Sequence, residues 1–272
     1  TSNVSVKEIV PGRALLLTTT WHASDTISIL NIYAPNDYGT QRDFWQSIQN
    51  RWETEDLPHL DFMVGDFNLV EDPIDRSPPH ADPQPTADAL RDTRMTLGLV
   101  AAWCTDNPSE RRYTFYSSLN RFSRIDRIYS RTNHVPKLSE WYMGPSVTPT
   151  DHNLVSVRYA PANAPYIGPG RWAWPAGLIH EEALLQHITQ LGRETEAQVE
   201  ALGDAPADPT LIQLLWEQFK IKSKECAKKH AKLTLARMNN RIRALQRDLD
   251  AAINDPNMDT SENARTNAAI LE

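Results

Sequence analysis

Residues 60–68 read LDFMVGDFN, a short apolar run followed directly by polar side chains. The run Leu60–Val64 lies between Pro58 and Gly65, a pattern that predicts a buried β-strand. Gly65–Asn68 then places Asp66 and Asn68 at the end of that strand. Because sites are commonly built on strand ends and their loops, we interpret this stretch as a candidate site on a sheet. Gly-Asp-x-Asn alone also suits an ordinary turn.

Strands and helices alternate on both sides of this stretch. The predicted strands are Ala14–Thr20, Ile27–Ala34, Arg112–Tyr116, Arg124–Ser130 and Leu154–Tyr159. The predicted helices are Gln41–Thr54 and Thr86–Leu97, with Thr86 as N-cap and Gly98 just past the end. A turn at residues 22–25 and a long surface loop over Asp72–Pro85 complete the prediction. This interleaving indicates an α/β or α+β fold over residues 1–160.

The rest of the chain has a different character. A Pro-rich stretch over residues 161–175 is followed by helical periodicity in Leu178–Leu202 and Thr210–Ile253, without a strand pattern. One helix over the second segment would be unusually long, so we expect an antiparallel hairpin or a coiled-coil arm. The sequence therefore predicts three parts: residues 1–160, a linker over 161–175, and an all-α arm over 176–272.

Composition narrows the class of protein. The 272 residues have a net charge of −7 and are 40% hydrophobic, which fits a packed core. No apolar run is long enough for a membrane helix, so we expect no membrane partner. Two cysteines do not make a disulfide scaffold, and a reducing compartment is the simpler interpretation.

The net negative charge conceals a basic segment in the arm. Lys220–Arg247 holds ten Lys and Arg residues, opposed only by Glu225. Such a segment can contact a phosphate backbone, although a solvated helix face is an equally ordinary explanation. The candidate nucleic-acid-binding residues are Lys220, Lys224, Lys228, Lys232 and Arg241.

Three further motifs accompany GDFN. They are NIYAPN at 31–36, SRID at 123–126 and Asp151–His152 just before a predicted strand. Each motif alone has an ordinary explanation, such as a turn, a salt-bridge partner or a helix cap. Together and in this order, over about residues 9–160, they resemble the endonuclease/exonuclease/phosphatase superfamily. The wording NIYAPN, GDFN, SRIDRIY and TDH is similar to fungal non-LTR retrotransposon endonucleases in particular.

This resemblance implies a DNase-I-like four-layer β-sandwich followed by the helical arm. It implies a Mg²⁺-dependent (or Mn²⁺-dependent) phosphodiesterase that nicks DNA and leaves a 3′-hydroxyl. The arm looks like the linker to the reverse transcriptase part of a larger polyprotein. DNA is the expected partner, and the nucleus follows as the expected location only because the substrate is there.

The resemblance also implies a role for each motif residue. Asp66 would activate the attacking water or protonate the leaving group, and Asn68 would hold the water or the phosphate. Tyr33 would hydrogen-bond the phosphate. Asp126 would polarise His152, which would stabilise the transition state, and Asp151 would support the metal. These residue types suit the chemistry, because hard divalent cations prefer carboxylate oxygens and an imidazole beside a carboxylate can carry a proton.

One part of the family pattern is missing. The family begins with a strand that ends in a catalytic Asn and a second strand that ends in a metal-binding Glu. Neither Asn3 nor Glu8 occupies an equivalent place, so we expect an N-terminally truncated domain with an incomplete metal site and impaired activity. The alternatives are a non-catalytic nucleic-acid-binding remnant of a retrotransposon polyprotein, and a phosphatase or phospholipase of the same superfamily.

Overall fold

A six-stranded sheet lies at the centre of the first part of the chain. The computed structural model describes residues 4–21, 25–117, 119, 121–146, 148–161, 172–203 and 210–272. The strands of the sheet are β1 (Val4–Val10), β2 (Ala14–Thr20), β3 (Thr26–Tyr33), β4 (Phe62–Asp66), β6 (Leu99–Val100) and β9 (Asp126–Arg131). Their order across the sheet is β1-β2-β3-β4-β9-β6. Strands β3 and β4 are parallel, whereas the other neighbouring pairs are antiparallel.

Helices α1 (Tyr38–Thr54) and α2 (Gln84–Thr96) cover one face of this sheet, and α3 (Ala102–Asp106) is a short helix after β6. Strand residues on the covered face alternate with residues on the other face, as the period of two in a strand requires. Leu30 and Met63 are fully buried with Trp45 of α1 in one apolar cluster. This cluster is the main core of the domain.

The other face of the sheet is less covered. A two-stranded sheet of β10 (Leu138–Gly144) and β11 (Leu154–Tyr159) lies against part of it. An open groove of about 480 Å³ separates β11 from the sheet and is lined by Val64, Ile128 and Val155 among others. A three-stranded sheet of β5 (Arg76–Ser77), β8 (Arg121–Ser123) and β7 (Phe115–Ser117) completes the strands.

The chain divides into two compact units, the first formed by residues 1–166 together with 248–272. The second, residues 167–247, contains α4 (Glu182–Glu200) and most of α5 (Thr210–Ile253). In the second unit, Leu184 of α4 and Ala227 and Ala231 of α5 form a small apolar cluster. Helix α6 (Glu262–Leu271) belongs to the first unit. This division does not follow the one drawn from the sequence at residues 160 and 175, because the last 25 residues join the first unit. Most of the predicted Pro-rich linker lies outside the described residues.

The prediction of an α/β fold followed by an all-α part is confirmed, and β2 and β11 have the predicted bounds. Thr86 is not an N-cap, since α2 begins at Gln84 after Pro83. The hairpin predicted within Thr210–Ile253 is also wrong, because one continuous helix of 44 residues spans the segment. The predicted turn at residues 22–25 falls largely outside the described part of the chain. None of the described helices is both long enough and apolar enough to cross a membrane.

Candidate active site

The site is built at the ends of three neighbouring strands. In the sheet register Tyr33 of β3 lies opposite Asp66 of β4, and Asp66 lies opposite Asp126 of β9. Strand β4 ends at Asp66, and β9 begins at Asp126. Three residues that the sequence singled out from separate motifs therefore meet at one edge of the sheet.

The backbone around Asp66 has two special conformations. Gly65 has φ of +128°, and a Cβ added there would lie 2.0 Å from the carbonyl oxygen of Ile32. Only glycine fits, so Gly65 allows β3 and β4 to approach closely before Asp66. Asn68 has φ of +47°, in the left-handed region that asparagine tolerates better than most residues. Its amide nitrogen Nδ2 donates to the carbonyl oxygen of Ala34 at 2.9 Å, which anchors the loop after β4 to the end of β3.

Asp66, Asp126 and His152 form a cluster in which one ligand atom from each lies within 4.8 Å of the other two. The Nδ1 atom of His152 lies 2.9 Å from Oδ2 of Asp126. The backbone N–H of Asn68 donates to Oδ1 of Asp66 at 2.8 Å. All three side chains are partly buried, which holds their positions while leaving them reachable from solvent.

Burial raises the pKa of Asp66 above its usual value. The neighbouring negative charge of Asp126 raises it further, while the hydrogen bond from the Asn68 N–H and the proximity of His152 act in the opposite direction. The effects of burial and of the like charge on the pKa outweigh those of the two favourable contacts, so the net shift is upward. Part of this shift is the repulsion between the Asp66 and Asp126 carboxylates in the metal-free protein. A positive charge between them would relieve this repulsion.

The cluster suits a hard divalent cation. Asp66 and Asp126 offer carboxylate oxygens, the ligands that Mg²⁺ prefers, and Mg²⁺ commonly keeps several waters beyond one or two carboxylates. Among the described residues, this is the one group of three or more acidic, histidine or cysteine side chains close enough to hold a metal.

Asp151, the predicted metal residue, does not contribute its carboxylate to this cluster. Its side chain is exposed, and the Thr150 hydroxyl lies 3.5 Å from its Oδ1. Its carbonyl oxygen accepts a hydrogen bond from the N–H of Tyr116 at 3.1 Å, so Asp151 contacts β7 through its backbone. The next residue, His152, faces Phe115, with ring centroids 5.0 Å apart.

Tyr33 lies at the rim of the cluster with 51% of its surface exposed. The guanidinium carbon of Arg13 lies 4.7 Å from the centroid of its ring, which is a cation–π distance. Sequence reasoning missed Arg13. The signal that could have found it is its position just after Gly12, at the turn that leads into β2, next to the strand of Tyr33.

The predicted nucleic-acid-binding residues lie on α5, in the second unit. They are Lys220, Lys224, Lys228, Lys232 and Arg241, and all are exposed. The Nζ atoms of Lys220 and Lys228 lie 6.0 Å from the Trp216 ring and 5.8 Å from the Trp172 ring. Residues four apart lie along one side of a helix, so the four lysines form a slowly winding row of charge.

The fold and the site together define a mixed α/β protein whose strand ends bring two carboxylates and an imidazole into one cluster. Comparison with protein-family models gives no match. In sequence the chain is 27% identical over 249 residues to the Transposon TX1 uncharacterized 149 kDa protein of Xenopus laevis. That alignment covers 89% of this chain and 18% of the relative, so the chain spans less than a fifth of that protein's length.

Several solved structures are similar in fold. An AP endonuclease from Archaeoglobus fulgidus has a TM-score of 0.46 at 21% identity and covers 58% of this chain and 70% of its own. The endonuclease domain of TRAS1, a telomere-specific non-LTR retrotransposon, has a TM-score of 0.41 at 15% identity and covers 58% and 69%.

Proposed function

We propose that this chain carries a Mg²⁺-dependent phosphodiesterase site of the retroelement endonuclease type, which nicks DNA. The observation that carries the proposal is the Asp66–Asp126–His152 cluster at the ends of β4 and β9. The transposon relative supports a retroelement origin. A retroelement nuclease acts on chromosomal DNA, so we place its action in the nucleus, as part of a longer polyprotein that also carries a reverse transcriptase.

The side chains suit hydrolysis of a phosphodiester. A water attacks phosphorus, the bond from phosphorus to the 3′ oxygen breaks, and that oxygen takes a proton from solvent water to leave as a 3′-hydroxyl. Asp66 accepts the proton of the attacking water as general base. A bound Mg²⁺, held by Asp66 and Asp126, would neutralise charge on the phosphate.

His152 donates a hydrogen bond to a phosphoryl oxygen while Asp126 holds its other ring nitrogen. The 2.9 Å contact between Asp126 and His152 Nδ1 fixes the orientation of the ring. The side-chain amide nitrogen of Asn68 donates a hydrogen bond to the carbonyl oxygen of Ala34. The side-chain amide oxygen of Asn68 orients the attacking water. Tyr33 is exposed at the rim of the cluster, and its hydroxyl donates a hydrogen bond to the phosphate.

We propose further that the chain by itself turns over slowly. The cluster has two carboxylates among the described residues, and the sheet face opposite α1 and α2 is only partly covered by β10 and β11. A further acidic side chain on a strand packed in that groove would complete the metal site.

A nicking assay on supercoiled plasmid with Mg²⁺ tests both proposals. We expect slow nicking that Asp66→Ala and His152→Ala each abolish, with Asp151→Ala retaining it, since its carboxylate lies outside the cluster. No nicking by folded protein would contradict the nuclease. Turnover of about 1 per second or faster, an ordinary enzymatic rate, would contradict the impairment.

The alternative is a non-catalytic nucleic-acid-binding protein. It is favoured by the exposed row Lys220, Lys224, Lys228 and Lys232 on α5. If this row binds DNA, the logarithm of the binding constant falls with the logarithm of salt concentration, with a slope of about −0.9 per phosphate contact on duplex DNA. Changing Lys224 and Lys228 together to Gln should then reduce that slope by about 2. An unchanged slope would contradict binding through this row.

A further inference from the structure

Thr114 is a fully buried residue between the two segments that carry Asp126 and His152. Its hydroxyl oxygen accepts the backbone N–H of Ile125 at 3.1 Å and the N–H of Asp126 at 3.0 Å. The same hydroxyl lies 3.5 Å from the carbonyl oxygen of Ser123, to which it donates. One side chain thus satisfies two consecutive backbone amides just where β9 begins.

The backbone of Thr114 holds the segment that carries the histidine. Its carbonyl oxygen accepts the N–H of Asn153 at 2.7 Å, and two residues further on Tyr116 donates its N–H to the carbonyl oxygen of Asp151 at 3.1 Å. Residues 114–116 therefore run beside residues 151–153, with Phe115 opposite His152. The position of His152 is set from Thr114 through the backbone.

The contact between Asp126 and His152 depends on both sets of bonds. The two side chains come from segments separated by 26 residues in sequence, and they meet at 2.9 Å. The hydrogen bonds of Thr114 are to backbone atoms, and they join the segment of Asp126 to the segment of His152. A shift of either segment by a fraction of an ångström would lengthen the contact.

We propose that Thr114 is a positioning residue for the Asp126–His152 pair. The proposal rests on the nuclease function proposed above, since it assigns Thr114 to the machinery of that site. The hydroxyl is the essential group, because valine has nearly the same shape but offers no acceptor to the two buried amides.

Three variants of the full chain test this role. Thr114→Val removes the acceptor, whereas Thr114→Ser keeps it. Thr93→Val is the matched control, because Thr93 is also fully buried and its hydroxyl binds the carbonyl oxygens of Ala89 and Trp45, within the helical layer. The readouts are amide hydrogen exchange at Ile125 and Asp126, the ring N–H resonance of His152 in NMR spectra, and plasmid nicking.

We expect Thr114→Val to speed exchange at both amides by about tenfold or more. It should broaden or shift the His152 ring N–H resonance and lower the nicking rate by about ten- to a hundredfold, with DNA binding unchanged. Thr114→Ser should restore all three readouts, and Thr93→Val should change none of them.

The proposal is overturned if the His152 resonance and the two amides of Thr114→Val behave as in Thr93→Val. Because these spectra need no substrate, they report on positioning even if the parent chain does not cleave DNA, an outcome that would contradict the nuclease function alone. Should Thr114→Val fail to fold, Thr114→Cys, whose thiol is a weak acceptor, is expected to give an intermediate shift of the same resonance.

Discussion

The ionised side chain of Asp66 lowers the free energy of unfolding of the protein. Burial and the Asp126 charge raise its pKa in the folded protein above the value of about 3.8 in an unfolded chain. The folded state therefore binds the Asp66 proton more tightly, and ionisation of Asp66 lowers stability as pH rises from about 3.8 through the raised pKa. At neutral pH the full penalty is present.

Asp66→Asn is therefore expected to abolish cleavage while raising the melting temperature of the metal-free protein at pH 7. The difference between variant and parent should vanish at a pH well below 3.8, where Asp66 is protonated in both folded and unfolded chains. For a domain of this size, about 1 kcal/mol corresponds to a shift of about 2–4 °C. Calorimetry at two pH values measures it, with the exposed Asp151→Asn as control. A lower melting temperature for Asp66→Asn at pH 7 would contradict the assignment.

At the scale of elements, β9 is held in place by buried ion pairs on the side away from the cluster. Asp75 accepts Arg124 Nε at 3.0 Å and also pairs with Arg127. Burial alone would raise the pKa of Asp75, but the two guanidinium groups hold it below its usual value. These pairs tie the loop before β5 to the strand that presents Asp126.

Asp75→Asn should lower the free energy of unfolding by about 3–5 kcal/mol, because it removes the carboxylate partner of buried Arg124 and one of the two carboxylates that face buried Arg127. The matched control is Asp88→Asn, which breaks an exposed pair with Arg91 and should cost less than about 1 kcal/mol. Urea unfolding followed by tryptophan fluorescence measures both. Since the pKa of Asp75 is lowered, its stabilising contribution should be lost as pH falls below about 3.8. Equal effects of the two substitutions would contradict the role of the buried pairs.

At the scale of the whole molecule, the end of the chain is part of the first unit, with the main sheet. Met258 and Ile253 are buried with Tyr113 and Phe122 of the three-stranded sheet region, and Ala268 of α6 joins them. Asp259 also accepts a hydrogen bond from Arg111 Nη2 at 2.6 Å. Residues 248–272, which include the last turns of α5, therefore pack against the small three-stranded sheet.

Met258→Ala should destabilise the first unit by about 2–5 kcal/mol, the usual cost of truncating a buried methionine. Met238→Ala is the control, since Met238 is 54% exposed on α5 and its truncation should change little. Amide exchange in β7 and β8 reports on the first unit by itself, whereas a single melting curve would mix the two units. Unchanged exchange in Met258→Ala would contradict the packing.

Much of the main sheet could be predicted from local pattern. Strands β2, β3, β4 and β11 have strong β-branched or apolar runs, and α1 has helical spacing. Strands β1 and β10 were not predicted, nor were the short strands β5, β6 and β8. Strand β1 is largely exposed, and β10 contains Glu140 with φ of +54°, so neither shows the clean alternation of a half-buried strand.

The sequence by itself determined which residue types are available to the site, because the motifs NIYAPN, GDFN, SRID and Asp-His supply its tyrosine, carboxylates, amide and imidazole. It also determined the helical character of α4 and α5. Only the tertiary structure decided which of these residues meet: it brings Asp66, Asp126 and His152 together and leaves the Asp151 carboxylate outside. Contacts such as those of Thr114 and Met258 join residues far apart in the chain, and no local pattern encodes them, because they arise from the pairing of strands and the packing of helices.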